Sequence, residues 1–372
     1  MAPALMIVAG LLMASHPLTT TPHAQPADRY RATLEPWIEQ YFQREHRPGA
    51  AIAVVEGNRI VYTRAFGVKR LGTNDPVTTR SLFHIASITK TFVATALMQL
   101  VEKRTLDLDA PVVRYLPYFR LADERYRIIT VRQMLTHSSG MPDVDDYEWD
   151  KPQYDAGALE RYVRSLSNRS LLFAPGEKFT YSNIAFDVLG DVIAKVSGQS
   201  FDDYVQNQIL TPLRMTDSTL LIKRADPQLL TWGHQLDAQG HPAPSTVFPY
   251  NRIHSPSSDL HSNVLDMARW AIANMNHGEL DGRRILPASA YEVLWKRSAS
   301  PVGLSWFLDE YRGIARVGHS GGDTGYASDL AMLPEKKIAV VWMTNSDWRG
   351  SGGLTQAALD VALGRQPEPI KP

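Results

Sequence analysis

The segment GIARVGHSGGDTGYASDLAMLPEKKIAVVWMTN, residues 313–345, decides the fold. Apolar and β-branched runs alternate in it with turn segments, one rich in glycine and one at residues 334–337. This alternation predicts short strands joined as hairpins. With the preceding run VGLSWFL, the end of the chain predicts four strands, at 302–308, 313–320, 326–333 and 338–346.

The same segment raises a competing hypothesis, because residues 318–322, GHSGG, fit the nucleophile-elbow pattern Gly-x-Ser-x-Gly. An elbow needs a helix after the serine, followed along the chain by an acid and then a histidine. The residues after Ser320 read as a hairpin, and no histidine follows His319. A glycine-rich turn between two strands is therefore favoured, and the nucleophile is sought elsewhere.

Outward from this segment, strands recur only near the other end of the chain. Residues 28–46 have helical spacing, and residues 50–70 read as two strands around a Gly57-Asn58 turn. Helical patterns fill the middle, at 87–104, 156–167, 182–197, 201–209, 263–276 and 287–297, and a helix closes the chain at 352–363.

This order predicts an α/β fold of the α+β type, with helices flanking a mostly antiparallel sheet built from both ends of the chain. The sheet domain is expected to be discontinuous, at 28–80 and 300–365. A mainly helical domain, 81–299, is inserted between its parts, and residues 366–372 form a tail.

Composition limits the possible functions. The chain has 372 residues, 44% of them hydrophobic, and its 39 Lys plus Arg balance 39 Asp plus Glu. A disordered chain is excluded, and no bulk charge favours nucleic acid or an anionic membrane. Cysteine is absent, and no histidines have the His-x-x-x-His spacing of a helical metal site. We expect no metal and no cofactor, and a small-molecule or peptide substrate.

The N-terminus predicts export. Residues 4–14, ALMIVAGLLMA, have the length of a signal-peptide core and are too short to span a bilayer. Small residues up to Ala24 supply a processing site, so residues 1–24 are predicted to be a signal peptide and the mature chain periplasmic or secreted, without a membrane span. No Lys or Arg precedes the apolar run, which leaves an unprocessed hydrophobic N-terminus as the alternative.

A serine with a partner base begins the helical segment SITKTFVATALMQLVEKR, residues 87–104. Ser87 and Lys90 lie three residues apart, so both side chains share one helix face. A serine hydroxyl becomes a strong nucleophile when a base takes its proton, and a lysine can do so once burial lowers its pKa. Taken alone, the pair is a poor signal, and a helix N-cap serine with a solvated lysine is then favoured over catalysis.

Two later motifs complete an ordered set. Tyr181-Ser182-Asn183 stands at a loop-to-helix junction, and His319-Ser320-Gly321 stands at a strand end. The order Ser-x-x-Lys, Tyr-x-Asn, His-Ser-Gly resembles the three motifs of penicillin-recognising serine enzymes. The chain from about residue 30 to 360 is similar to class C β-lactamase-like serine hydrolases, which include DD-peptidases, D-aminopeptidases and family VIII esterases. The segments TVRQMLTHSSGMP and ILTPLRMTDST also resemble segments of that family and occur in the family's order.

That resemblance implies the chemistry of the site, at the junction of the two domains. Ser87 attacks a substrate carbonyl to form an acyl-enzyme, which water hydrolyses. Lys90 and Tyr181 share the role of base, and which of them holds the proton is a property of the pair. Asn183 hydrogen-bonds Lys90 and the substrate, and could also cap the helix that starts near it.

The strand-end motif is implied to bind substrate. Gly321 and Gly322 let the backbone approach closely, and the amides of Ser87 and Gly322 form an oxyanion hole. Ser320 becomes a substrate or hydrogen-bond contact. His319 replaces the lysine usual in β-lactamases, and a histidine is mostly neutral at pH 7.

The substitution at residue 319 favours an esterase or a D-amino-acid peptidase over a true β-lactamase. The rival hypothesis is a penicillin-binding or sensor module that acylates with little turnover, or a binding homologue without catalysis. His84 and His137 are interpreted as structural. Trp149, in an acidic loop, is a candidate for lining the cleft, because long loops often determine specificity.

Overall fold

The structure is a computed structural model that describes residues 26–45, 47–298, 301–347 and 351–368. The predicted signal peptide, residues 1–24, and the last four residues of the predicted tail lie outside these ranges. None of the helices in the described ranges combines the length and the apolar character needed to cross a membrane.

The elements alternate as the sequence predicts, with long strands near both ends and helices between them. The helices are α1 Pro26–Glu45, α2 Thr89–Glu102, α3 Val131–Leu135, α4 Ala158–Ser165, α5 Asn183–Ser197, α6 Phe201–Val205, α7 Val264–Met275, α8 Ala290–Leu294 and α9 Ser351–Ala362. The strands are β1 Gly49–Glu56, β2 Arg59–Gly67, β3 Phe83–His84, β4 His234–Leu236, β5 Pro242–Pro244, β6 His261–Ser262, β7 Glu279–Leu280, β8 Arg283–Arg284, β9 Phe307–Tyr311, β10 Ile314–Asp323, β11 Tyr326–Leu333 and β12 Ile338–Thr344.

One six-stranded sheet joins the two ends of the chain, in the order β2-β1-β12-β11-β10-β9. Each of its neighbouring pairs is antiparallel. Strands β1 and β12, which come first and last along the chain in this sheet, lie side by side. Ala50 lies opposite Thr344, and Glu56 lies opposite Ile338. The predicted fold class is therefore confirmed; the exact domain limits stay a prediction.

Both faces of the central strands are covered. Along β1, Ile52 and Val54 pack in a cluster with α1 and α9, whereas Ala53 and Val55 pack in the larger core with the helical middle of the chain. Strands covered on both faces read as continuous apolar runs rather than alternating ones. This explains why IAVVWMT in β12 is apolar at almost every position and buried throughout.

The predicted strand at 302–308 is wrong over most of its length, since β9 begins only at Phe307. The amides of the preceding residues are used elsewhere: Leu304 N donates to Leu294 O and Ser305 N donates to Leu135 O, each at 2.8 Å. The Leu304 amide thus bonds to the carbonyl of Leu294, the last residue of α8. This helix was predicted to reach residue 297.

The helix expected at 87–104 also differs from its prediction. A 3-10 turn, Ala86–Ile88, precedes α2, so Ser87 lies in that turn and not within the α-helix. All residues of α2 from Thr89 to Leu100 are buried. A helix buried all round places any polar side chain that it carries, including Lys90, inside the protein.

Candidate active site

The turn that carries Ser87 is strained and firmly held. Ala86 has φ +47°, a left-handed conformation that is unfavourable for a residue with a Cβ. The preceding residue, Ile85, is fixed on two sides: its amide donates to Leu260 O at 2.9 Å, and its carbonyl accepts from Ser328 Oγ at 2.7 Å. Ser87 is the one residue of positions 81–90 that is not buried. The turn thus presents a single hydroxyl to the surface of the cleft.

Lys90 directs its amine at that hydroxyl. Its Nζ lies 2.9 Å from Ser87 Oγ, 2.6 Å from Asn183 Oδ1 and 2.7 Å from Ser257 O. An ammonium group has three N–H donors, so these acceptors satisfy all of them. The side chain is fully buried. The amine is therefore held in one position, with Ser87 as its neighbour on the open side.

Burial lowers the pKa of Lys90 to about 7, because removing the ammonium from water disfavours its charged form. The charges of Asp187, Asp143 and Asp323 act in the opposite direction. Near neutral pH a large fraction of Lys90 is thus a free amine, which can accept a proton from Ser87.

Tyr181 covers the amine from the other side. Lys90 Nζ lies 5.0 Å from the centroid of the Tyr181 ring, which stacks on the His137 ring at 4.2 Å. Burial raises the pKa of the Tyr181 phenol, and its hydrogen bond with Ser87 lowers it. The phenol keeps its proton at neutral pH. Of the two groups that the resemblance assigns to the base, Lys90 is the one that can accept a proton there.

Asn183 is held between Lys90 and a carboxylate that sequence reasoning did not assign. Its amide nitrogen Nδ2 donates to Asp143 Oδ1 at 2.9 Å, and its backbone amide donates to the same oxygen at 2.8 Å. These contacts orient the amide so that Oδ1 faces Lys90. The capping role considered for Asn183 is wrong: Ser182 is the N-cap of α5, and its hydroxyl accepts from Ala185 N.

A buried acid–histidine pair fixes the third acceptor of Lys90, and sequence reasoning missed it as well. Asp187, one turn after Asn183 on α5, lies 2.8 Å from His254 Nδ1, and neither side chain is exposed. Ser257 N donates to the His254 carbonyl at 3.1 Å. This hydrogen bond closes the turn that carries the Ser257 carbonyl. The pair therefore connects the helix that bears Asn183 to the turn that binds Lys90.

The strand β10 forms the opposite wall of the cleft. A Cβ on Gly321 would overlap the carbonyl oxygen of Ile85 and lie 2.5 Å from Ser328 Oγ, so only glycine fits there. At Gly322 a Cβ would meet nothing within 4 Å, and the close approach expected for this residue is not observed. Pairing with β9 ends at Gly318 opposite Phe307. Among the described residues, no strand pairs with 319–323 on that side.

His319 and Ser320 differ in exposure. The His319 ring is buried, and its Nδ1 lies 2.6 Å from the carbonyl oxygen of Ser320. Burial, with a smaller contribution from the charge of Lys90, lowers the pKa of His319 to about 3. His319 is therefore neutral over the whole range in which Lys90 titrates. The Ser320 side chain is exposed.

The remaining candidates lie around this centre. His137 accepts from Ser182 N at 3.1 Å, and His84 lies 3.2 Å from Asp323 Oδ2, so each ring holds a neighbouring segment in place, as expected of structural residues. Trp149 is half-buried, and its ring centroid lies 6.4 Å from that of His84. Within the described ranges, no three His, Asp or Glu side chains gather in a way that could hold a metal ion.

The site thus brings a serine, a buried lysine, a tyrosine and an asparagine together against a glycine-bearing strand edge. The family model for beta-lactamases matches residues 34–363. The chain belongs to the beta-lactamase family. The match covers both ends of the sheet and all the helices between them, so the site lies within the shared part of the fold.

Individual members of the family agree with this assignment. Penicillin-binding protein 4 of Amycolatopsis lactamdurans is 30% identical over 326 residues, which are 83% of this chain and 84% of that protein. The octameric penicillin-binding protein homologue from Pyrococcus abyssi superposes with a TM-score of 0.80 at 28% identity, over 91% of this chain and 78% of that one. A class C beta-lactamase shares the fold, with a TM-score of 0.76 at 20% identity, over 91% and 98% of the two chains.

Proposed function

We propose that the protein is a serine hydrolase that cleaves an ester or amide through an acyl-enzyme on Ser87. The observation that carries this proposal is the fully buried amine of Lys90, 2.9 Å from Ser87 Oγ, with its pKa lowered to about 7. A base with a pKa near the working pH combines the required protonation state with a useful driving force for proton transfer.

The reaction follows from these positions. Lys90 takes the hydroxyl proton as Ser87 Oγ bonds to the substrate carbonyl carbon, and the carbonyl oxygen becomes an oxyanion. Lys90 then gives its proton to the leaving alcohol or amine, directly or through the Tyr181 phenol, and the bond to the leaving group breaks. Water then adds to the acyl-enzyme, with the same amine as base, and releases the acid and free Ser87.

The oxyanion is proposed to bind between the backbone amides of Ser87 and Gly322. The close packing of Gly321 on Ile85 supports this role, because it brings β10 against the turn that carries Ser87. The 319–323 edge also has no neighbouring strand among the described residues, so a substrate can pair with this part of β10. Each oxyanion donor typically contributes on the order of 10² to 10³ in rate.

We propose as substrate an ester or an amide that places no carboxylate at the strand-end motif, rather than a β-lactam. The neutral state of His319 supports this choice, since a neutral imidazole offers no permanent positive charge to a substrate carboxylate. A second candidate is an acylating module with slow turnover. It is favoured by the 30% identity to a relative named penicillin-binding protein 4.

A substrate panel with purified protein tests both candidates. A nitrophenyl ester, a D-alanyl anilide and a chromogenic cephalosporin are compared under steady-state and pre-steady-state conditions. We expect turnover of the ester or anilide above that of the cephalosporin, and a loss of about 10⁴-fold or more in Ser87→Ala. A stoichiometric burst without further release would support the acylating module instead, and full activity in Ser87→Ala would refute both.

A further inference from the structure

A cavity lies next to the cleft of the proposed active site, and none of the proposed catalytic residues lines it. It has a volume of about 580 Å³, within the range of small-molecule sites. Aromatic rings form a large part of its wall, and aliphatic, hydroxyl and charged side chains complete it. The five rings belong to Trp149, Tyr154, Trp232, Phe248 and Tyr250.

The polar groups around this cavity are mostly satisfied within the protein. The Trp232 indole donates to Ser245 O at 2.8 Å, and Lys69 contacts Asp75 at 3.0 Å and Gln228 O at 2.6 Å. Arg70 differs, since it forms no ion pair with any described residue. Its guanidinium carbon lies 4.8 Å from the Trp232 ring centroid. The cavity thus offers apolar and aromatic walls, the paired charges of Lys69 and Asp75, and in Arg70 a cation that has no ion-pair partner among the described residues.

The cavity and the active site share a wall. Trp149 lines the cavity and stacks on Tyr147 with 4.8 Å between ring centroids. The Tyr147 and Trp149 ring centroids lie 4.8 Å and 5.8 Å from that of His254, the partner of the buried Asp187. The cavity is therefore separated by one layer of aromatic rings from the Asp187–His254 pair that supports the Lys90 site.

We propose that this cavity binds an aromatic part of the substrate that carries an acidic group, with the acid beside Arg70. This inference rests on the proposed hydrolysis at Ser87 and adds a substrate class to it. Flat rings complement aromatic walls, and a carboxylate matches a guanidinium in charge and geometry. The acidic group is bound away from His319, so the missing cation in the strand-end motif does not prevent its recognition.

The first experiment measures binding without turnover. Ser87→Ala protein is titrated calorimetrically with 4-(4-carboxyphenyl)butanoate as an acyl product, 4-(hydroxymethyl)benzoate as a leaving alcohol, and acetate. We expect one of the two aromatic acids to bind at least about tenfold more tightly than acetate, which also identifies the side of the substrate that occupies the cavity. Adding Trp232→Ala or Arg70→Gln should weaken this binding about tenfold, whereas Arg59→Gln, an exposed arginine on β2, should not change it.

The second experiment measures turnover in the otherwise unaltered enzyme. The ratio of kcat/KM for nitrophenyl 4-(4-carboxyphenyl)butanoate to that for nitrophenyl acetate should fall at least about tenfold in Arg70→Gln and in Trp232→Ala. Binding no tighter than that of acetate, or binding insensitive to both substitutions, overturns the inference. Because binding is measured in Ser87→Ala, an enzyme that binds the acid but hydrolyses no ester would refute the proposed function and leave the cavity site standing.

Discussion

The two walls of the active site differ in how their polar atoms are paired. On the helix wall, Lys90 reaches three acceptors, and Asn183 is fixed by Asp143. On the strand wall, the 319–323 edge has no neighbouring strand among the described residues. A paired wall is rigid before substrate arrives, whereas an open edge gains its partners from the substrate.

This difference separates two tasks. In the proposed reaction the helix wall provides the nucleophile and the base, and the contacts that hold them lie within the protein. In the same proposal the strand wall and the aromatic cavity determine which substrates are accepted. Substitutions in the first wall should therefore reduce the reaction with every substrate, and substitutions in the second should change the ranking of substrates.

The largest effect is expected from Lys90→Met. Methionine has similar length but no base, so the rate of acylation by a fluorophosphonate should fall about 10³-fold. Thermal unfolding provides the control: the variant should stay folded with a similar melting temperature, because removing a desolvated amine offsets the loss of its hydrogen bonds to Asn183 and Ser257. An acylation rate within tenfold of the parent would show that Lys90 is not the base.

A smaller loss is expected from Gly321→Ala, about 10²-fold in acylation, because the new methyl group must push β10 away from Ile85. Gly322→Ala is the matched control, since its methyl group meets nothing within 4 Å and its backbone amide is retained. The loss at residue 321 should exceed that at residue 322 at least about tenfold. Equal losses at both positions would contradict close packing as the reason for glycine.

The pH dependence tests the buried acid near Lys90. The kcat/KM value should rise with pH through about 7, as Lys90 loses its proton. Asp187 raises the pKa of Lys90, so Asp187→Asn should shift this acid limb to lower pH while its side chain still accepts from His254. Asp191→Asn is the control: this carboxylate lies one turn further along α5, accepts from Tyr118 and is not among the charges that act on Lys90. If the acid limb of the pH profile shifts equally in both variants, or in neither, the role of Asp187 is contradicted.

The smallest effect is expected from Ser320→Ala. The exposed hydroxyl has no contact with Ser87 or Lys90, so acylation by a small fluorophosphonate should stay within about threefold of the parent. A change confined to KM for larger substrates fits a substrate contact on the strand wall. A loss comparable with that in Lys90→Met would revive Ser320 as the nucleophile.

The sequence was sufficient for those parts of the site that are local. Ser87 and Lys90 share one turn, Tyr181 and Asn183 share another, and the order of the motifs along the chain brings them together through a known kind of fold. The hairpins at the end of the chain were also readable, since β11 begins and ends where the alternation predicts.

The contacts that the sequence did not reveal join distant segments. Asp187 and His254 are 67 residues apart, and Asp143 and Asn183 are 40 residues apart, with no motif around either pair. The run at 302–306 has a strand-like composition, but its amides bond to α8 and to Leu135 instead of a neighbouring strand. Local propensity has no information on such long-range partners.

Active-site labelling tests the central claim most directly. The protein is reacted with a fluorophosphonate, its intact mass is measured, and the labelled peptide is sequenced. The geometry around Lys90 predicts one adduct per chain, on the peptide that contains Ser87, absent from Ser87→Ala and retained in Ser320→Ala. An adduct on the peptide that contains Ser320, or full labelling of Ser87→Ala, would contradict the assignment of Ser87 as the nucleophile.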